Sequence, residues 1–269
     1  MAAVPGRFAI TIAILVVAVF VSCAHPAIAA AVNAGSLFLA EDSEHNWFVI
    51  VGVIVVFIGS SLFGLYASRV RAHKIEGLAR SLGYTFRGRA TAADSDLVIG
   101  CYLADTGSKP TVSNVLEVIR TPELKLILFD YAYSADDVET TTTVHQTIAR
   151  IQAPLLKLPS FLLFPETIFS KIKVLFGAGD VNFLDSPGFS DKYILRGHDE
   201  AALRAIFTPA LRQALEPLHD LTIEGADDAL FVSRVGRRIE PDEFVARIEE
   251  NKRILALFFE AQQANAKRV

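Results

Sequence analysis

The residues with the most scope for chemistry lie in two short stretches, "FDYAY" and "HQT", which contribute Asp130, Tyr131, Tyr133 and His145. A histidine beside a carboxylate can act as a general base. Asp130, Tyr133 and His145 are therefore the candidate catalytic residues, and a hydrolase is the activity they would serve. Both stretches read as neighbouring strands, where alternation sets Asp130 and Tyr131 on opposite faces. Polar groups on a sheet are also commonly solvated or paired across strands. The pattern needs its structural context before it carries an activity.

Other patterns are less specific. "HD" occurs at His198 with Asp199 and at His219 with Asp220, but a metal phosphohydrolase would need further His and Asp ligands on helices, and Asp199 is well placed as a helix N-cap. Ser170 and Lys173 have SxxK spacing without a supporting motif. "FGAGD" lacks the GxGxxG order and the preceding strand that cradle a phosphate. Asp136, Asp137 and Glu139 form a polar tip between two strands, ordinarily a solvated one. There is no CxxC, HExxH or Walker-type lysine loop, so no cofactor and no metal is expected. The two cysteines, Cys23 and Cys101, are too few for a disulfide framework. Cys101, in "LVIGCYL", reads as a small core residue of a buried strand.

The elements that would position these residues divide sharply along the chain. Its 269 residues are 52% hydrophobic, with the excess concentrated before Tyr66. From Ile75 onward, 22 Lys and Arg stand against 27 Asp and Glu. That mildly acidic balance offers no basic stripe for neutralising phosphates, so nucleic acid is excluded as a partner.

Phe8 to Val21 is apolar, follows Arg7 and runs into small residues around Ala27 to Ala29. Residues 1–32 are thus either a signal peptide cleaved near Ala29 or an uncut first transmembrane helix reaching about Val32. A third reading, acylation at Cys23 in "FVSC", has Phe20 where a smaller aliphatic residue is usual. Residues 33–47 form a short extracytoplasmic link. Phe48 to Ala67 holds no charged residue, and about 20 apolar residues are what a helix needs to cross the hydrocarbon core. Trp47 and Tyr66 mark its ends, at the depth amphipathic rings prefer.

The flanks orient this span. Glu41, Asp42 and Glu44 precede it, whereas Arg69, Arg71, Lys74 and Arg80 follow. Positive charge stays on the cytoplasmic side, so the bulk of the chain is expected in the cytoplasm behind an inner-membrane anchor. Gly52, Gly59 and Gly64 would permit close helix contacts within the bilayer.

Residues 68–82 read as a basic juxtamembrane helix ended by Gly83, and 83–269 as an α+β domain. Strands are expected at Leu97 to Leu103, Val112 to Ile119, Leu124 to Tyr133 and Thr142 to Gln152, with "RTPE" turning between the second and third. Further on, "KYILRG" reads as a strand. A helix from Asp199 must restart at Thr208 and Pro209. "LTIEG" pairs with "ALFVSRVG". A last helix begins near Pro241 and buries Phe244, Ile248, Leu255 and Phe259. The expected fold is an antiparallel sheet with helices on one face.

"PETIFSKIKVLFG" reads as a helix with Ile168, Phe169, Ile172, Leu175 and Phe176 on one side, bordered by Lys171 and Lys173. Such a helix suits either a core position or a membrane surface with its cations at headgroup depth.

The succession "NVLEV", "LFDYAYS", "VHQT", "LFPE", "FSDKYILRG" and "LFVSRVGRRIEPDE" resembles bacterial membrane-anchored proteins of an uncharacterised family, which have apolar N-terminal segments and a cytosolic domain of unknown function. The similarity spans most of Leu78 to Leu257 and implies the layout, not an activity. The expectation is a non-enzymatic module tied to the lipid bilayer that binds a protein or lipid partner. The alternatives are the tethered hydrolase and a membrane-subunit role for the glycine-bearing helix.

Overall fold

The computed structural model describes residues 46–89, 91–101, 108–136, 141–171 and 180–267. The first apolar segment and most of the link lie outside them. The chain forms two compact units, Met1–Arg71 with Ser134–Thr143, and Ala72–Tyr133 with Val144–Val269.

In the first unit, α1 (Asn46–Leu82) begins. Its stretch from Val51 onward is long and apolar enough to cross a membrane by length and composition, with a mean hydropathy of 2.0 and none of the apolar window buried. Val55, Leu62, Phe63 and Tyr66 are all exposed on it. The helix is continuous through the expected juxtamembrane segment and stops at Gly83, whose φ of 74° needs no Cβ to be accommodated.

Eight strands build one antiparallel sheet, which belongs to the second unit except for the ends of two strands within Ser134–Thr143. They are β1 (Thr85–Arg89), β2 (Ser108–Arg120), β3 (Lys125–Asp136), β4 (Thr141–Gln152), β5 (Leu158–Pro165), β6 (Tyr193–Gly197), β7 (Thr222–Asp227) and β8 (Ala229–Ser233), in the spatial order β1-β2-β3-β4-β8-β7-β5-β6. The first four form a meander. Its β2–β3 turn is closed where Thr121 and Leu124 exchange backbone and hydroxyl hydrogen bonds.

Four shorter or later helices cover one face: α2 (Pro187–Lys192), α3 (Glu200–Ile206), α4 (Pro209–Leu215) and α5 (Phe244–Ala266). The break between α3 and α4 falls where Thr208 caps the Leu211 amide and Pro209 starts the next helix. Asp199 caps α3 by accepting from the Ala202 amide at 2.9 Å. The core lies between these helices and the sheet. Phe161 of β5 stands edge-on to Phe207 at 5.1 Å and stacks on Phe258 of α5 at 5.7 Å between ring centres. Ile75 and Ala79 of α1 join the same core.

Several expectations are corrected. "LPSFLLFP", to which the sequence reading assigns no element, is a strand: Phe161, Leu162, Leu163 and Phe164 are all at most 1% exposed. β5 is an interior strand between β7 and β6 with side chains buried on both faces, so alternation is erased and a continuous apolar run remains. The helix expected from Pro165 is a 3-10 helix over Glu166–Lys171 as far as it is described.

The strand expected at Leu97 to Leu103 is instead a 3-10 helix, Ala92–Val98, with its buried Cys101 just beyond. Thr91 and Asp94 form a capping box there, a local bond pattern that outcompetes extension. β1 was not anticipated at all, because its Arg-Gly-Arg ending obscures the alternation. At the last helix the first turn starts after Glu243, and Phe258 rather than Phe259 is fully buried.

Candidate functional site

Asp130, in the middle of β3, is 5% exposed. Its carboxylate accepts from Asn114 Nδ2 of β2 at 2.9 Å and from the Thr147 hydroxyl of β4 at 2.7 Å. Thr147 Oγ1 in turn accepts from the Ile239 amide at 3.0 Å, and the Thr147 amide donates to the Arg237 carbonyl at 3.1 Å. Asn114 reaches this position from a left-handed backbone at φ 49°, a conformation Asn tolerates better than most residues. The loop after β8 is thus stitched to the central strands through a buried carboxylate.

His145 shares β4 and strand parity with Thr147. It is exposed, and local desolvation with the positive charge of Arg238 holds its pKa below the usual histidine range against the opposing pull of Asp130. Tyr133 has the opposite parity to Asp130 on β3. It packs against Tyr131, ring centres 5.7 Å apart, and both are buried. Asp130 and His145 are therefore brought toward one another, and Tyr133 is directed to the second face of the sheet.

That second face carries a polar row that the sequence reading missed. Register aligns Arg150 of β4, Phe231 of β8, Glu224 of β7, Leu162 of β5 and Arg196 of β6. Glu224 is 2% exposed, and the Cys101 thiol donates to it at 3.4 Å. The Arg150 guanidinium lies 5.8 Å from the Phe231 ring centre and donates to the Asp96 carbonyl at 3.1 Å. Burial lowers its pKa. The Arg196 guanidinium stands 6.0 Å from the Phe164 ring and pairs with Asp180 at 2.6 Å.

The segment Thr91–Cys101 crosses this face like a strap, anchored at β1 by Arg87 to Asp94 at 2.6 Å, at β4 through Asp96 and at β7 through Cys101. Arg87 also binds Glu117. Desolvation would raise the pKa of Asp94 and Glu117, yet hydrogen bonds from Thr91 and Arg87 to Asp94, and from Arg87 and Arg120 to Glu117, leave both below the usual carboxylate range. Such groups are positioned to hold the strap. The signal was present in "LTIEG": in a strand buried on both faces, an interior glutamate must be partnered.

A second charged cluster joins β8, its following loop and α5. Arg234 donates both terminal nitrogens to Glu250 at 3.1 and 3.0 Å and its Nε to the His219 carbonyl at 3.0 Å. Arg247 also reaches Glu250, and Arg237 reaches Glu243 at 3.0 Å. Burial pushes the Glu250 carboxyl up, but Arg234 and then Arg247 outweigh it and hold the pKa low.

The remaining sequence candidates are dispersed. Asp199 is a helix cap and His219 and Asp220 are exposed in a turn. His198 is exposed as well. Lys173, Asp137, Glu139 and the glycines of "FGAGD" lie outside the described residues. Among the described residues no group of three or more His, Cys, Asp or Glu is arranged to hold a metal ion.

Trp47 falls within α1, where Tyr66 is 66% exposed and Arg69 and Lys74 are exposed. Arg71, by contrast, is 8% exposed. Of the proposed membrane-surface helix, Ile168, Phe169 and Lys171 fall in the 3-10 helix, Ile168 half-buried, whereas Ile172, Lys173, Leu175 and Phe176 lie outside the described residues. No family model matches the chain, and neither does any curated protein or solved structure.

Proposed function

We propose that this chain is a membrane-anchored module whose α+β domain faces the cytoplasm and binds a protein or lipid partner rather than catalysing a reaction. The observation that carries the reading is the separation of Asp130 from Tyr133. The first is committed to Asn114 and Thr147 on the helix-covered face, while the second packs with Tyr131 on the other. A histidine base works with groups that converge on one reacting atom, and Asp130 and Tyr133 lie on opposite faces of the sheet. The anchor rests on the apolar stretch of α1, and the orientation on the arginines and lysine that follow it. The layout also agrees with the resemblance to bacterial membrane-anchored proteins.

The competing hydrolase reading draws on one feature, the proximity of His145 to Asp130. Full-length protein carrying His145→Ala, crosslinked in cells and purified in detergent, separates the two. A binding module keeps its crosslinked partner or lipid. If His145→Ala instead releases nothing but accumulates an uncleaved substrate adduct, the hydrolase reading replaces this one. A reporter fused after Val269 is expected to be active in the cytoplasm; activity on the outer side alone refutes the orientation.

A further inference from the structure

Between α3, the last turns of α5, the β4–β5 connection and the β7–β8 turn lies an open groove of about 850 Å³. Its floor is apolar. Leu158 and Ile206 are buried beneath it, and the half-buried Ala202 and Ala205 carry side chains too short to fill it. Beside Pro154 on its edge, Leu155 is 75% exposed. Ligand sites have volumes of about 300–1,000 Å³, so this groove is large enough for more than a single side chain.

Its walls are pinned. Gln262 of α5 accepts from the Lys157 amide at 2.6 Å and donates to the Leu155 carbonyl at 3.0 Å, which fixes the β4–β5 connection against the helix. At the β7–β8 turn, the Asp228 carboxylate accepts from Gln152 Nε2 at 3.1 Å and its carbonyl accepts from the Ala153 amide at 2.9 Å. Asp199 holds the start of α3 through the Ala202 amide. A ligand entering the groove therefore does not have to order its walls, and preorganisation of that kind favours binding.

The rim decides the occupant. Among the charged residues that line the groove, Asp199, Asp227 and Asp228 are opposed by Lys157 alone, a surplus of two negative charges. The anionic headgroups of a cytoplasmic leaflet would be repelled. Lysine and arginine side chains fit, because their aliphatic stems cover an apolar floor while their charged heads reach a polar rim. The Asn265 side chain, also lining the groove, offers both a donor and an acceptor of the kind a peptide backbone can use.

We propose that this groove receives a lysine- or arginine-bearing segment of a partner protein, with its aliphatic stems over Leu158 and Ile206 and its cations against Asp199 and Asp227. The assignment rests on the reading of the domain as a binding module, and it selects protein over lipid as the partner of this face.

Fluorescence anisotropy of a labelled peptide of repeating Lys-Ala, titrated with the full-length protein in non-ionic detergent, tests the site. Saturable binding is expected, weakening as salt is raised, with none for the matching Glu-Ala peptide. Asp199→Asn combined with Asp227→Asn should raise the Kd several-fold. Both local structures survive that change, because asparagine also caps helices and tolerates the left-handed backbone of Asp227 at φ 54°. Ala205→Phe fills the groove without altering charge and should weaken binding as well; the asparagine pair decides should this variant not fold. Asp191→Asn combined with Asp220→Asn removes two exposed carboxylates outside the groove and should leave the Kd unchanged. Absence of saturable binding, equal binding of the Glu-Ala peptide, equal weakening by the outer pair, or full binding by folded Ala205→Phe overturns the proposal. Crosslinking of His145→Ala tests the binding reading separately: a retained protein partner without Lys-Ala binding strikes this groove alone.

Discussion

The phenyl ring of Phe161 lies directly against Gly225 on the neighbouring strand, so near that a Cβ at Gly225 would overlap its edge. The ring is held there from the other side by Phe207 and Phe258. The glycine is what lets three aromatic side chains meet over β5 and β7.

Gly225→Ala should therefore destabilise the domain, since the ring cannot retreat into its neighbours. Overpacking of this kind costs about 1–3 kcal/mol. Chemical denaturation of the variant and parent measures it; an unchanged midpoint would mean the cluster repacks freely.

The Asp130 network should be equally sensitive. Thr147→Val removes the donor to Asp130 Oδ1 and leaves the Ile239 amide without its acceptor. Leaving a buried polar group unsatisfied costs about 1–3 kcal/mol. Amide hydrogen exchange should localise the loss to Arg237–Ile239 and β4. Uniform loss across the sheet would contradict the local role.

Acid should weaken the fold through Asp94, Glu117 and Glu250. Their pKa values lie below the ordinary 3.8 of Asp and 4.5 of Glu, so the unfolded chain binds protons first. Their stabilisation is complete above those values and is lost as pH falls through them toward the lower folded ones. The contribution of these carboxylates should be constant near neutrality and fall away below about pH 4.5. In Arg87→Gln, the drop should be shallower, because Asp94 and Glu117 lose the partner that lowers them.

Orientation should respond to charge at the mouth of α1. Replacing Arg69 and Lys74 by Glu removes two exposed cations from the end of the apolar stretch. Cytoplasmic retention follows Lys and Arg near a span, so a C-terminal reporter should lose part of its cytoplasmic signal. Full retention would show that other flanking charges suffice.

Much of this architecture is legible in the sequence. Alternation in "SNVLEVIR", "LILFDYAY" and "VHQTIARI" announced the meander, and Thr208 with Pro209 announced a helix restart. What escaped notice did so for definable reasons. β5 carries no period because both its faces are covered, so its Leu and Phe run offers no alternation from which to read a strand. The strap over the second face is built from a capping box and hydrogen bonds to distant strands, which leave no periodic trace.

The candidate site was partly legible too. Proximity of Asp130 and His145 followed from adjacent strands, and parity separated Asp130 from Tyr131; the same parity applied to Tyr133 would have removed it from the candidate site. Thr147, Asn114 and Ile239, which enclose Asp130, are ordinary residues whose role arises only from registry. Glu224 is a single polar residue within an apolar strand, and its significance depends on what folds over it.

The strand order has a kinetic implication. β1 to β4 can zip from neighbouring hairpins, whereas β4 finds β8 only after the entire intervening polypeptide has been gathered, and loop closure of that length is slow. During synthesis the meander would thus emerge with β4 still bare along one side. The interval before β8 arrives is when this protein is most vulnerable to pairing with the wrong neighbour.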